Sequence, residues 1–570
     1  MGACAMVGKV AAAAVAVLWA TTLVVNAERA SASLFGGPVT VVEQAPGAPP
    51  AATTPNPHVT AQGLFVSADT CRACHNNVVT PSGEDVSIFT DWRSSMMANS
   101  ARDPYWMAAV RREVMDHPAS ADDIENECSI CHMPMTTFPA RAAGRKGRIF
   151  DHLPLGRPDD PDAALAADGV SCTLCHQIQP VGLGTHASFA GGYVIDVAAA
   201  SGTRSLFGRF QIDSGRARVM RSSSSFVPAQ ATHMRQSELC ATCHTLFTHS
   251  LAKGATEAKL PEQTPYLEWQ QSAYKDTQSC QSCHMPAVAG EVPLTQVLGQ
   301  PREGVSRHTF LGGNFFMMKL LNRYRADLGV QATPREMDAA VTRTIRHLQE
   351  DTARVSLPLA ERTATGLTLA VDVQNLAGHK LPTAYPSRRA WLHVRVEDSG
   401  GRVVFESGKF SADGSIVGND NDADATRFEP HYASITRPDQ VQVYESVMVD
   451  PSGRVTTGLL SGASYAKDNR LLPRGMNKAN ATADVATHGD ALQDQDFGDG
   501  RDRVTYEIPL GNVEGPLTVR AELWFQPIGY RWAVNFRDYD APEPKRFVGY
   551  WNAMASESAV ALSGATTTVR

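Results

Sequence analysis

Apart from five short motifs and one residue near the amino terminus, the 570-residue chain has no cysteine. Ten of its eleven cysteines fall in Cys-x-x-Cys-His units and the eleventh is Cys4, so none remains for a structural disulfide. Positive charge is also scarce: 52 Lys and Arg stand against 59 Asp and Glu, a net charge of −7. That balance lacks the basic footprint needed to neutralise phosphates, which argues against a nucleic-acid partner. Beyond residue 25 no apolar run is long enough to cross a bilayer. There is no nucleophile elbow and no dinucleotide-binding glycine loop. With 43% hydrophobic and 19% charged residues, the chain is globular in composition and long enough for several domains.

Residues 1–35 read as a targeting segment. Lys9 precedes an apolar run from Val10 to Val25, and Asn26-Ala27 and Ala30-Ser31-Ala32 offer the small residues that suit signal peptidase. The run is short for a membrane span, which leaves two alternatives: a cleaved signal peptide or an uncleaved amino-terminal anchor. Either one puts the rest of the chain in the periplasm or outside the cell, with membrane contact only through this segment. Residues 36–63 carry Pro38, Pro46, Pro49, Pro50, Pro55 and Pro57 among Gly, Ala and Thr, the composition of an extended linker.

The motifs are CRACH (Cys71, Cys74, His75), CSICH (Cys128, Cys131, His132), CTLCH (Cys172, Cys175, His176), CATCH (Cys240, Cys243, His244) and CQSCH (Cys280, Cys283, His284). Each is a haem c attachment signature. Two thiols add across the two vinyl groups of one haem, and the adjacent imidazole is thereby held under the iron. Zinc would need paired Cys-x-x-Cys units and would leave five histidines unexplained, and a thioredoxin-like dithiol has the same defect. The expected cofactors are five covalently attached haems c, with the ten cysteines as attachment points and the five histidines as proximal ligands. Covalent attachment takes place outside the cytoplasmic membrane, in agreement with the targeting segment. All five motifs lie between Cys71 and His284, so every macrocycle must have a near neighbour and the set forms an electron path.

An internal repeat runs through this region. Asp91-Trp92-Arg93-Ser94-Ser95-Met96-Met97 follows the first motif, and the second is trailed by Met133-Pro134; Glu268-Trp269-Gln270-Gln271-Ser272-Ala273-Tyr274 follows the fourth, and the fifth is trailed by Met285-Pro286. Duplicated two-haem modules, with the third haem between them, are the simplest account. These motifs, together with Arg307-His308-Thr309-Phe310 and Gly312-Gly313-Asn314, resemble the multihaem cytochromes c of the cytochrome c-554/c-prime-like family, whose relatives include hydroxylamine-oxidoreductase-like proteins. The resemblance covers about residues 65–330. Gly378-His379-Lys380-Leu381-Pro382-Thr383 looks like part of the β-rich extension carried by some exported multihaem cytochromes. The family pattern implies a histidine two residues after the repeat serine; Met97 and Tyr274 occupy those slots.

In the haem region a helix should start with Asp103 as N-cap and Pro104 at its first turn and stop before Pro118, with Trp106, Val110 and Val114 as its apolar stripe. A second should run from Asn314 to Gly329, and a third should open with the capping box Thr333-Pro334-Arg335-Glu336. From residue 355 the period becomes twofold: Leu367 to Val373, Leu392 to Val396, Val504 to Ile508 and Leu517 to Phe525 alternate apolar residues, with no intervening helices. The expected fold class is multidomain α+β: a mainly helical, loop-rich pentahaem cytochrome c domain over 64–354, then an immunoglobulin-like β-sandwich domain over 355–570. Two acidic runs there, Asp420 to Asp424 and Asp494 to Gly500, are candidate calcium loops or solvated turns; neither matches the full EF-hand pattern.

Twelve histidines lie outside the motifs. His308, next to the last motif, His379, in a loop stiffened by prolines, His233, seven residues before Cys240, and His117, continuing a helical stripe, are the candidate distal ligands. His152, His186 and His249 are weaker choices; His58, His347, His393, His431 and His488 read as ordinary structural residues. Arg307, Arg388 and Arg389 are candidates for pairing with haem propionates. Two functions compete: an electron carrier between redox proteins, probed by a partner with a basic docking face, and a multihaem oxidoreductase acting on a small nitrogen or sulfur compound at one open haem. Pentahaem nitrite reductases resemble the chain in size, but their catalytic motif has lysine in place of histidine, and none of the five motifs here does. Electron transfer is the favoured expectation.

Overall fold

The computed structural model describes residues 55–254, 259–363 and 365–570; the targeting segment and most of the linker lie outside the described residues. The chain joins the fold at Val59, Ala61 and Leu64, all buried, with the Thr60 hydroxyl capping the Ala61–Leu64 turn.

The helices with strong local signals form as those signals dictate. Asp103 accepts hydrogen bonds from the amides of Tyr105 and Trp106, and Pro104 opens the Pro104–Asp116 helix. Thr333 and Glu336 make a reciprocal capping box at the start of Pro334–Asp351. The helix after Asn314 differs from expectation: it spans Phe315–Arg323 and gives way to turns before Gly329. Tyr324 stacks there on Tyr550 with ring centroids 3.8 Å apart, a contact that no local pattern encodes. The region around the motifs is less uniformly helical than the sequence suggests. It also holds three two-stranded ladders: Arg204–Gly208 with Phe226–Gln230, Leu246–His249 with Lys259–Gln263, and Glu291–Pro293 with Pro301–Glu303.

The carboxy-terminal part is built on seven strands: β1 (Ala353–Arg362), β2 (Gly366–Asn375), β3 (Arg389–Glu397), β4 (Val403–Ser407), β5 (Arg501–Pro509), β6 (Leu517–Gln526) and β7 (Val560–Val569). One sheet runs β1-β2-β5 and the other β4-β3-β6-β7; short strands Ser434–Ile435 and Val443–Tyr444 join the first and second. Register follows the apolar alternation: Val371 is opposite Val504 and Leu369 opposite Tyr506, while Ala521 is opposite Val394 and Leu523 opposite Leu392. These side chains are fully buried and form the layer between the sheets.

The expectation of no helices here is corrected by Tyr530–Val534 and Pro542–Met554, which sit between β6 and β7. Pro542–Met554 buries Phe547 and Trp551, and Phe547 lies 5.3 Å from the ring of Tyr105 in the Pro104–Asp116 helix. The apolar core is continuous, running from Tyr105 through Phe315–Leu321 and Met337–Leu348 into the inner faces of both sheets. Area burial of this kind holds the β-rich part and the motif-bearing part as one packed body.

Candidate functional site

Local helix geometry brings each motif together. Cysteines at i and i+3 share one face of a turn, and the histidine at i+4 stands beside them. Such turns carry the motifs in Asp69–His75, Ala121–His132, Cys172–Cys175 and Cys280–His284, while in the fourth Ser237–Ala241 carries Cys240 and leads directly into Cys243 and His244. All ten thiols are free.

Four of the five motif imidazoles are anchored through Nδ1 to a backbone carbonyl: His75 to Leu294 (3.0 Å), His132 to Ser100 (3.1 Å), His176 to Phe207 (2.5 Å) and His284 to Leu311. A carbonyl can only accept, so the proton sits on Nδ1 and the Nε2 lone pair is free for a metal. Burial pushes every one of these imidazoles toward neutrality, His132 and His284 down to about 4. Neutral imidazole is the ligand form. Trp106, from the predicted stripe, lies flat on His132 at 4.3 Å and 2°.

Two of the four candidate distal histidines face a motif histidine. The rings of His176 and His308 are 6.4 Å apart and 17° from parallel; those of His284 and His379 are 6.1 Å apart and 13° from parallel. An imidazole–metal bond of about 2.0 Å and a ring half-width of about 1.2 Å, counted on both sides, require a separation of about 6.4 Å. The gaps have the width of one iron. His308 and His379 point Nδ1 at the carbonyls of Ser306 (3.2 Å) and Lys380 (2.9 Å), and burial pushes His308 down to about 3.

The other two candidates sit elsewhere. His233 is buried beside the third motif, its Nε2 2.9 Å from the carbonyl of Ile178 and its ring 5.1 Å from Phe207. His117 ends its helix with Nε2 3.4 Å from the Ser461 hydroxyl. Neither ring is paired with a motif imidazole among the described residues. Sequence reasoning missed His347, whose ring lies 6.2 Å from that of His284 at 67°, with Nδ1 2.9 Å from Asp351. The polar face of its helix, which reads as solvated, lies over the fifth motif, and no local signal marks that. Met97 packs in the cluster around Leu165 and Val170, and the Tyr274 hydroxyl donates to the carbonyl of Leu376 at 3.0 Å.

The structure also orders the motifs in space. The Cys71 thiol lies beside that of Cys172, Cys131 beside Cys243, and Cys240 beside Cys280. Motif one therefore abuts three, two abuts four, and four abuts five. Motifs four and five of the second module stay together, while the contacts of one with three and of two with four tie the first module to the rest.

Of the three arginines expected near propionates, two are committed to protein carboxylates. Arg307 binds Asp91 (2.9 and 3.0 Å) and Glu84, and Arg389 binds Asp422 (2.7 and 2.9 Å). Arg388 is different. It donates to the Thr383 carbonyl (3.0 Å) and Asn314 Oδ1 (3.1 Å), lies close to His244 and His379, and has no carboxylate partner among the described residues. Burial alone pulls it down to about 10. A half-buried cation without a counter-ion is costly, and an anionic propionate is what its surroundings lack. The donor set, the iron-wide gaps and this unpaired guanidinium all fit haem.

The acidic runs use their carboxylates internally. Asp420 pairs with Arg427, Asp422 with Arg389, and Asp424 accepts from Thr426. Asp494 and Asp502 converge on His431, but its Nδ1 accepts from Gln442 and Asn469, whose amide oxygens are fixed as acceptors by the amides of Tyr432 and Glu445. The imidazole proton is thereby left on Nε2, facing the carboxylates, and that nitrogen has no lone pair to offer a cation.

The solved penta-haem cytochrome c552 from Thermochromatium tepidum shares the fold, with a TM-score of 0.50 over 88% of this chain and 98% of that one, at 14% sequence identity. No protein-family model matches the chain, and no curated protein matches it.

Proposed function

We propose that the protein is an exported electron carrier that holds five covalently attached haems c and passes electrons between redox proteins outside the cytoplasmic membrane. The observation that carries this reading is the pair of facing imidazole sets, His176 with His308 and His284 with His379. Bound haem would supply a one-electron couple, and at these two motifs the facing neutral imidazoles would hold the iron from both sides and leave no room for a substrate. The thiol contacts between motifs support a continuous path of neighbouring haems. The orders β1-β2-β5 and β3-β6-β7 support the immunoglobulin-like assignment, with β4 beside β3 in place of the position beside β5 that the constant-type fold gives it. Calcium is left out of this reading, because the acidic runs are internally satisfied. With a net charge of −7, the redox partner is one with a basic docking face.

One observation favours the second reading, catalysis on a small nitrogen or sulfur compound. His75, His132 and His244 have no imidazole paired with them among the described residues, and of the three His244 also has the cation Arg388 nearby. Pyridine haemochrome on the purified protein, combined with carbon monoxide titration of the reduced form, separates the two readings. Five haems per chain, no thiol reactive after unfolding and no carbon monoxide adduct are expected of a carrier. A stoichiometric adduct with turnover of nitrite, hydroxylamine or tetrathionate would establish the second reading in its place.

A further inference from the structure

An acidic residue followed by tryptophan occurs twice in the sequence, at Asp91-Trp92 and Glu268-Trp269. Both pairs lie on short helices, Ile88–Arg93 and Pro265–Gln270. In each, a later serine, Ser95 or Ser272, donates to the tryptophan carbonyl at 2.7 or 2.8 Å and closes the turn. The carboxylates are almost completely buried.

What the two copies touch is parallel in detail. Trp92 Nε1 donates to the carbonyl of Val170 and Trp269 Nε1 to that of Gln278, both at 2.9 Å. Val170 is two residues before Cys172 and Gln278 two residues before Cys280. The carboxylates reach the opposite side. Asp91 binds the Arg307 guanidinium through both oxygens (2.9 and 3.0 Å), and Arg307 precedes His308. Glu268 accepts from the Lys380 amide (3.0 Å) and the Thr383 hydroxyl (2.5 Å), and Lys380 follows His379. Arg470 (2.9 Å) completes the shell of Glu268 and also binds Asp468, which holds the buried Lys380 ammonium at 2.8 Å.

We infer that each acid–tryptophan pair is a clamp on one haem, its indole holding the attachment side and its carboxylate the segment of the distal histidine: Asp91-Trp92 for the third haem and Glu268-Trp269 for the fifth. This rests on the ligand pairs His176/His308 and His284/His379 proposed above. The first copy passes over the second motif, which follows it in sequence, to serve the third, so the duplication preserves a device around a haem and not merely a run of residues. The carboxylates position a ligand without touching the iron. A charge-assisted, bidentate or multiply bonded anchor fixes the segment better than neutral contacts do, and axial ligation tolerates little displacement.

The test uses the full holoprotein and reads carbon monoxide binding to the reduced form together with the ferric high-spin signal. Glu268→Gln leaves an amide NH2 group facing Arg470 or the Lys380 amide, and is expected to make one haem more than in the wild type bind carbon monoxide. His379→Ala should do the same, with His347→Ala added to every variant in the set so that the second ring near His284 cannot take the vacated place. Because both act on one haem, the double variant should bind no more than either alone, whereas Glu268→Gln combined with His308→Ala should bind twice as much. Asp91→Asn should mirror this with the partners exchanged. Trp269→Phe, which keeps the ring and deletes only the Nε1 donor, gives a milder variant and should shift the same haem's spectrum. A wild-type spectrum in both Glu268→Gln and Asp91→Asn, with haem content and fold intact, would overturn the clamp, as would effects of Glu268→Gln and His379→Ala that add. If the two histidine variants themselves bind no carbon monoxide, the ligand pairs fail and the clamp with them; if only the carboxylate variants are silent, the clamp alone fails.

Discussion

His308 is the cleanest place to perturb the axial geometry. It lies 6.4 Å from His176 and nearly parallel to it, its Nδ1 is held by the Ser306 carbonyl, and its ring lies 5.9 Å from that of Phe310. No second imidazole is paired with His176 among the described residues, so replacing His308 with alanine removes the sixth ligand without a substitute at hand. One haem more than in the wild type should become five-coordinate, an increment of 1/5 = 20% of the haem absorbance. That fraction of the reduced Soret band should shift on adding carbon monoxide, and the same fraction of the ferric protein should turn high-spin. The potential of that haem should rise by on the order of 100 mV, well inside the roughly 0.8 V that axial ligands can span, because imidazole favours the ferric state. Burial holds His308 neutral at any pH above about 3, so the wild-type ligation should be flat from pH 5 to 9. Added imidazole should restore the six-coordinate spectrum by filling the vacated space. A variant whose spectra, potentials and carbon monoxide binding match wild type would refute the assignment of the 6.4 Å gap to an iron.

Glu262 is buried with a single side-chain partner, Thr248, and burial raises its carboxyl from 4.5 to about 7. Its protonated form favours the native state, so this contribution is full below pH 4.5 and disappears as pH rises through 7; the cost of ionising it at pH 9 is roughly 3 kcal/mol. Chemical denaturation at pH 5 and pH 9 should show Glu262→Gln narrowing the difference between the two, and an unchanged difference would refute this. Electron transfer to a small basic cytochrome should slow as ionic strength rises, since the chain carries −7 before ten ionised propionates are counted; a rate flat from low to high salt would exclude electrostatic docking. Met97 packs among apolar side chains, so Met97→Leu should leave all five potentials and the near-infrared sulfur-to-iron region unchanged, and the loss of such a band would make Met97 a ligand.

The motifs were legible from sequence because their chemistry is local. A thiol pair three residues apart with an imidazole next to it needs only one helical turn to assemble, and that turn forms under almost any tertiary arrangement. The helix caps and the alternating strands were legible for the same reason: Asp103, Thr333 and Glu336 act within four residues, and Leu367 to Val373 sort themselves by a period of two. The distal side was decided by tertiary structure. His308 and His379 lie 132 and 95 residues from His176 and His284, and only packing brings them to 6.4 and 6.1 Å. His347 and His117 show the limit from both directions, since a polar helix face came to lie over the fifth motif and an apolar stripe ended away from any motif imidazole. Arg388 could not be told from Arg389 by sequence, because one finds a buried aspartate and the other finds none. The sequence by itself determined where the five Cys-x-x-Cys-His turns fall; which histidine comes to face each of them, and which motif lies beside which, depends on the long-range burial that folds segments a hundred residues apart into contact.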